Sequence, residues 1–133
     1  MEEFFVDKGA ERMQLPAVIE LLHGAYWAKT RDDEVIRRSV AHSLCFGVFE
    51  RATGRQVGFA RAITDGETSY YLCDVVIHPD FRGRGLGKQM VGALAADPEL
   101  AGLRGLLITR DAKGLYEKFG FQCVTGDRVV MYR

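Results

Sequence analysis

Residues 78–90, His-Pro-Asp-Phe-Arg-Gly-Arg-Gly-Leu-Gly-Lys-Gln-Met, place three glycines and three basic residues within the seven positions 82–88. Glycine at alternate positions frees φ and ψ and removes the Cβ atoms that keep a ligand away from the backbone. An apolar run comes before this turn and a helix-like run follows it. The unpaired amides and dipole of a helix start would therefore join Arg82, Arg84 and Lys88 in attracting an anion. The chemistry suggested is phosphate binding; the plain alternative is a surface loop kept soluble by its charges.

Spacing discriminates among phosphate turns. A nucleotide-triphosphate loop needs Gly-x-x-x-x-Gly-Lys followed by Ser or Thr, but Gln89 follows Gly87-Lys88, and Arg82 occupies the position of the first glycine. A dinucleotide turn needs Gly-x-Gly-x-x-Gly early in a strand-helix-strand unit, whereas here the glycines fall at Gly83, Gly85 and Gly87, after three antiparallel-type strands. Neither fits. A second chemical signal is Asp74, a carboxylate interrupting an otherwise apolar strand, which is costly unless hydrogen-bonded or used. His23, His42 and His78 lack ligand spacing, so no metal is expected.

What does match is Arg-x-x-Gly-x-Gly, carried by Arg82, Gly85 and Gly87. This resembles the pyrophosphate-binding turn of the GNAT superfamily of N-acetyltransferases. Asp74 to Phe81 precede it in the usual form, and Thr109 to Phe121 follow where that family has its second cofactor segment. The resemblance covers essentially the whole chain, tightly from about Phe46 to Phe121. It is nearest to small bacterial members described only as general acetyltransferases, on the strength of Tyr26-Trp27, Phe46-Gly47-Val48 and Asp111 to Tyr116.

The resemblance implies an acetyl-CoA co-substrate, direct acetyl transfer to a primary amine of a small molecule or peptide, and no metal. It assigns the pantetheine arm to the backbone of Val75, Val76 and Ile77, and the pyrophosphate to Arg82, Gly83, Arg84, Gly85, Leu86, Gly87 and Lys88. A strand N–H beside the thioester carbonyl can stabilise a developing oxyanion. Tyr116 falls where the family places a tyrosine near the sulfur; a phenol is protonated at neutral pH and can supply the departing thiolate with a proton. Asp74 is the candidate base, or else ties down backbone amides. Asp65 and Glu67 are weaker candidates for base or substrate contact, and Tyr26 and Trp27 border the acceptor pocket or merely pack. The rival from another class is a non-catalytic acyl-CoA sensor or interaction module of the same fold.

The elements that must position these groups follow from periodicity. Phe4-Phe5-Val6 reads as a short strand. Leu15, Val18, Ile19, Leu22 and Tyr26 mark one helical face, and Val35, Ile36, Val40 and Leu44 a second, after a cap within Thr30-Arg31-Asp32-Asp33. Strands from Cys45 to Phe49, Gln56 to Thr64 and Ser69 to Ile77, joined by short loops, form an antiparallel meander. Leu86, Met90, Val91 and Leu94 mark a helix ended by Asp97-Pro98, and Leu103 to Thr109 a strand reached by a right-handed crossover, hence parallel. Asp111 caps a last helix to Phe119, and residues 122–124 and 129–132 form a closing hairpin. The fold class is α/β (α+β), one domain over residues 1–133. Under the resemblance it is the GNAT fold, with a mixed central sheet, an antiparallel N-terminal meander, a splayed parallel pair and about four helices.

Composition bounds the partners. The 133 residues carry 18 basic and 18 acidic side chains, so bulk attraction to nucleic acid or an anionic membrane is not expected. Three scattered cysteines in apolar surroundings suit reduced thiols, and the acidic start Met1-Glu2-Glu3 does not read as a leader, so a cytoplasmic setting is expected. A homodimer through the C-terminal hairpin or an exposed sheet edge is compatible with this reading.

Overall fold

The protein is described from a computed structural model covering residues 2–133. A five-stranded sheet of order β1-β2-β3-β4-β5 separates two helical layers. β1 (Phe4–Lys8), β2 (Leu44–Glu50), β3 (Gln56–Thr64) and β4 (Ser69–Ile77) pair antiparallel, and β5 (Arg104–Leu106) runs parallel to β4. The first strand thus extends the expected meander to four members.

On one face lie α1 (Leu15–His23) and α2 (Asp33–Ala41). Pro16 sits in the first turn of α1, where its missing N–H costs nothing, and the Asp32 carboxylate caps α2 by accepting from Glu34 N–H at 2.8 Å. Val18, Leu22, Ile36 and Val40 from these helices pack on Cys45, Phe49, Phe59 and Val76. The other face carries α3 (Leu86–Ala96) and α4 (Lys113–Glu117), with Leu86, Met90, Val91, Leu94 and Tyr116 against Phe46, Val48, Val57, Ala60 and Leu72. The sheet's side chains alternate between these two apolar layers, which is why its central strands are buried almost throughout.

Two local features shape the site. First, β4 and β5 share only three register pairs, Ser69 with Arg104, Tyr70 with Gly105 and Tyr71 with Leu106. Beyond Tyr71 the β4 edge facing away from β3 has no partner strand among the described residues. Second, the β3–β4 register shifts between Phe59, opposite Val76, and Arg61, opposite Cys73, so that β4 holds one extra residue. Asp74 lies in this bulge with φ 57°, the left-handed region that Asp tolerates better than most residues.

Three expectations need correction. β5 stops at Leu106 rather than Thr109, because the chain turns away from β4 at the split. The last helix is shorter, Lys113–Glu117, and Asp111 does not cap it; Thr109 Oγ1 instead accepts the Ala112 N–H at 3.0 Å. No closing hairpin forms: residues 121–133 contain no strand, and Val129, Val130, Met131 and Tyr132 are exposed. A two-stranded ribbon without a buried face is marginal, and the short β5 presents none. The hairpin route to a dimer therefore loses its element.

Candidate active site

The split in the sheet opens into a groove of about 740 Å³. Of the residues expected to bind cofactor, Val75, Val76, Ile77, Arg82, Gly83, Gly85, Leu86 and Gly87 line it, together with Tyr116 from α4. Arg84 and Lys88 do not: the Arg84 guanidinium turns aside and stacks on the Phe81 ring at 5.4 Å. Gly83 and Gly85 have φ of 78° and 75°, and a Cβ on either would project into open space. A backbone of this shape leaves amides open to an approaching anion. Gly85 is also the N-cap of α3, and the first intrahelical bond of that region runs from Gln89 N–H to Gly85 C=O, so the amides of Leu86, Gly87 and Lys88 carry the dipole's positive end. His78 shapes the entry to the turn: its Nδ1 accepts from Asp80 N–H at 3.1 Å, leaving Nε2–H to donate to Glu20 Oε1 at 3.2 Å.

A second cavity, about 510 Å³, adjoins the groove. Tyr26, Trp27, Val75, Asp111, Ala112 and Tyr116 line both, so they mark the junction. Tyr116 is 8% exposed, and its pKa is pushed up to about 12, by burial first and then by the Asp111 charge. It is therefore a neutral phenol with a proton to give. Tyr26 and Trp27 stand edge to face at 5.0 Å, with the Arg110 guanidinium 3.8 Å from the Tyr26 ring centre.

Asp74 occupies the floor of the second cavity and is 5% exposed. Its Oδ2 accepts from Arg31 Nη1 at 2.7 Å and Arg61 Nε at 3.0 Å, and its Oδ1 accepts from Trp27 Nε1–H at 3.0 Å. Burial alone pushes this carboxyl up, but the two arginines together outweigh it and hold the group below the usual carboxylate range. Such a carboxylate is an anchor rather than a proton acceptor, since a base works best with a pKa near the operating pH. The tie to backbone amides offered for Asp74 is not what its contacts make: it holds two guanidiniums and an indole.

Asp65 departs from its expected role. It lines neither cavity and closes the β3–β4 turn, accepting from the N–H groups of Glu67 and Thr68 at 2.9 Å each and from Thr68 Oγ1 at 2.8 Å. These bonds favour the charged form and hold its pKa low. Glu67 is an exposed residue of the same turn.

Arg31, Arg61 and Asp111 are site residues that pattern reading passed over. Arg61 was the one with a signal: a lone arginine in an apolar strand, one hairpin away from a lone aspartate. No group of three or more His, Cys, Asp or Glu among the described residues could hold a metal ion. Among the described residues no helix is long and apolar enough to cross a membrane.

A mixed sheet thus splits beside a glycine turn, with a buried tyrosine where the groove meets a second cavity. The family model for the acetyltransferase (GNAT) domain matches residues 41–123, and the chain belongs to that family. A crystal structure of a GNAT-family protein from Xanthomonas campestris pv. campestris superposes with a TM-score of 0.86 at 38% identity, covering 98% of this chain and 95% of that one. Serotonin N-acetyltransferase 2, chloroplastic, of Oryza sativa subsp. japonica is 33% identical over 96 residues, 68% of this chain and 48% of that protein. The chain spans about half the length or less of the first curated relatives it matches. An aminoglycoside N-acetyltransferase solved with CoA shares the fold at 20% identity, with a TM-score of 0.69 over 98% of this chain and 93% of that one.

Proposed function

We propose that this chain transfers acetyl from acetyl-CoA directly to a primary amine of a small molecule or peptide. The observation that carries the reading is the position of Tyr116, a buried neutral phenol where the groove meets the second cavity. The residues present suit coenzyme A. The unpaired β4 edge at Val75–Ile77 matches the amides of an extended pantetheine, and the turn from Arg82 to Gly87 offers open backbone and a cation to a pyrophosphate. When bound, acetyl-CoA supplies an activated acetyl thioester, whose C–S bond breaks as the N–C bond to the acceptor forms.

The chain's own groups then have definite tasks. Tyr116 gives its phenolic proton to the departing sulfur and regains one from the attacking nitrogen. An acceptor entering as ammonium sheds its other proton to water in the second cavity, which is open, because Asp74 is committed to two arginines. Asp74 fixes the Trp27 side chain that walls both cavities.

A covalent route through Cys45 or Cys73 is disfavoured. Burial pushes the Cys45 thiol up to about 12 and Cys73 up to about 11, so neither is a thiolate at neutral pH. Double-reciprocal plots of rate against the two substrates are accordingly expected to intersect, and the chain should gain no acetyl mass with acetyl-CoA alone. Parallel lines with an acetylated cysteine would overturn direct transfer.

The glycine turn gives a separate handle. Gly85→Ala forces a Cβ onto a left-handed residue, a strain of roughly 1–2 kcal/mol. Part of this falls on the cradle, so the KM for acetyl-CoA should rise by up to about ten-fold. An unchanged KM would remove Gly85 from the binding turn.

The enzyme reading is tested by thiol release from acetyl-CoA over a panel of polyamines, aminoglycosides, arylalkylamines, amino acids and peptide N-termini. Arylalkylamines belong on it because the rice relative is named for serotonin. Tight CoA binding with no amine-dependent release would favour the sensor, a reading that leaves the second cavity without a purpose. A cytoplasmic setting stays part of the proposal, supported by three unpaired cysteines.

A further inference from the structure

The second cavity is electrically lopsided. Arg31 and Arg61 both line it, with side chains 25% and 12% exposed, yet the single carboxylate between them, Asp74, offsets one charge only. Arg31 spends Nη1 on Asp74; Arg61 spends Nε on Asp74 and Nη1 on Ser43 Oγ at 3.1 Å. Among the described residues, Arg31 Nε and Nη2 and Arg61 Nη2 have no side-chain or carbonyl acceptor. Arginine cannot release its proton, so the surplus positive charge is permanent and its donors stay available.

The opposite polarity lies at the junction. Asp111 lines both the groove and the second cavity, whereas the two arginines line the second cavity alone. Among the described residues Asp111 makes no side-chain hydrogen bond or ion pair, and its charge is felt by Tyr116. Tyr26, Trp27 and Tyr71 wall the same cavity with aromatic surface. A ligand spanning the cavity therefore meets two guanidiniums away from the groove and the Asp111 carboxylate at the junction, where Arg110 is stacked on Tyr26.

Resting on the acetyltransferase reading, we propose that the acceptor is an amine that also bears an anionic group. Arg31 and Arg61 hold the anionic group, and Asp111 holds the ammonium at the junction. A guanidinium fork suits either a carboxylate or a phosphate.

The test uses the full chain with acetyl-CoA and two matched pairs of acceptors, phenylalanine with its methyl ester and O-phosphoethanolamine with ethanolamine. In at least one pair the anionic member should show a kcat/KM at least about ten-fold higher. Arg31→Gln should lower that ratio by about ten-fold, and Arg31→Lys, which keeps the charge but not the fork, should fall between the two. Equal or better use of the uncharged member in both pairs, or a ratio indifferent to Arg31→Gln, overturns the proposal.

If no acceptor releases thiol, the acetyltransferase reading fails by itself, and binding decides the anion subsite. Trp27 is the sole tryptophan of the chain and lines the cavity, so its fluorescence reports occupancy. Saturable quenching by phenylalanine or O-phosphoethanolamine, weakened about ten-fold by Arg31→Gln, would support the subsite. Absence of any saturable change would overturn it.

Discussion

Tyr116→Phe is expected to lower kcat by about 10²- to 10³-fold, the usual worth of a positioned general acid. The substitution removes one oxygen from a buried side chain whose ring meets Phe121 edge to face at 6.0 Å, so the fold and the groove keep their shape. The KM for acetyl-CoA should accordingly stay within about three-fold, which assigns the loss to the transition state rather than to binding. The phenol's pKa of about 12 keeps it protonated across the neutral and mildly alkaline range, and no alkaline decline of kcat there should trace to Tyr116. Steady-state kinetics of the two proteins with one acceptor suffice. Unchanged turnover would take Tyr116 out of the chemistry and leave it as packing.

Asp74→Asn should be the most destabilising single substitution at the site, on the order of 3–5 kcal/mol, because it leaves two guanidiniums facing each other with no buried counter-charge. Asn keeps much of the tolerance for φ 57° and can still accept a hydrogen bond, so the loss isolates the charge. The pH dependence has a definite sign. The folded pKa of Asp74 lies below the ordinary value of 3.8, so its stabilisation is fully present above that value and disappears as pH falls through the folded one. Urea unfolding of the natural chain should therefore weaken below about pH 4, and that limb should be shallower in the Asn variant. Equal urea midpoints at neutral pH would show that Arg31 and Arg61 find other partners.

The glycine turn was readable because its signal is local. Spacing along the chain decides what such a turn can hold, and Arg82, Gly83, Gly85, Leu86 and Gly87 line the groove while Arg84 turns aside. Asp74 was also conspicuous, a charge where strand periodicity asks for an apolar residue. Its partners were not. Arg31 lies next to a helix cap, where charged residues occur for local reasons, and only the return of the loop after α1 brings it over β4. Asp111 resembled a cap because a helix follows it, but a hydroxyl two residues earlier took the amide. Asp65 shows the converse error: a carboxylate ahead of the functional strand suggested substrate contact, whereas it closes its own turn. The closing hairpin failed for a tertiary reason, since an apolar run over residues 129–132 says nothing of whether a partner edge and a buried face exist.

The parting of β4 from β5 also has a bearing on solubility. A strand with one bare edge is a template for any other extended chain, and β4 is bare in this way beyond Tyr71. The bulge at Asp74 breaks the flat, regular ladder that a foreign strand would need, and its charged partners make the neighbouring surface costly to dehydrate. A ligand occupying that edge would act as a temporary sixth strand. Occupancy would then guard against self-association as well as serve turnover, and the chain would be most prone to clumping when its cofactor is scarce.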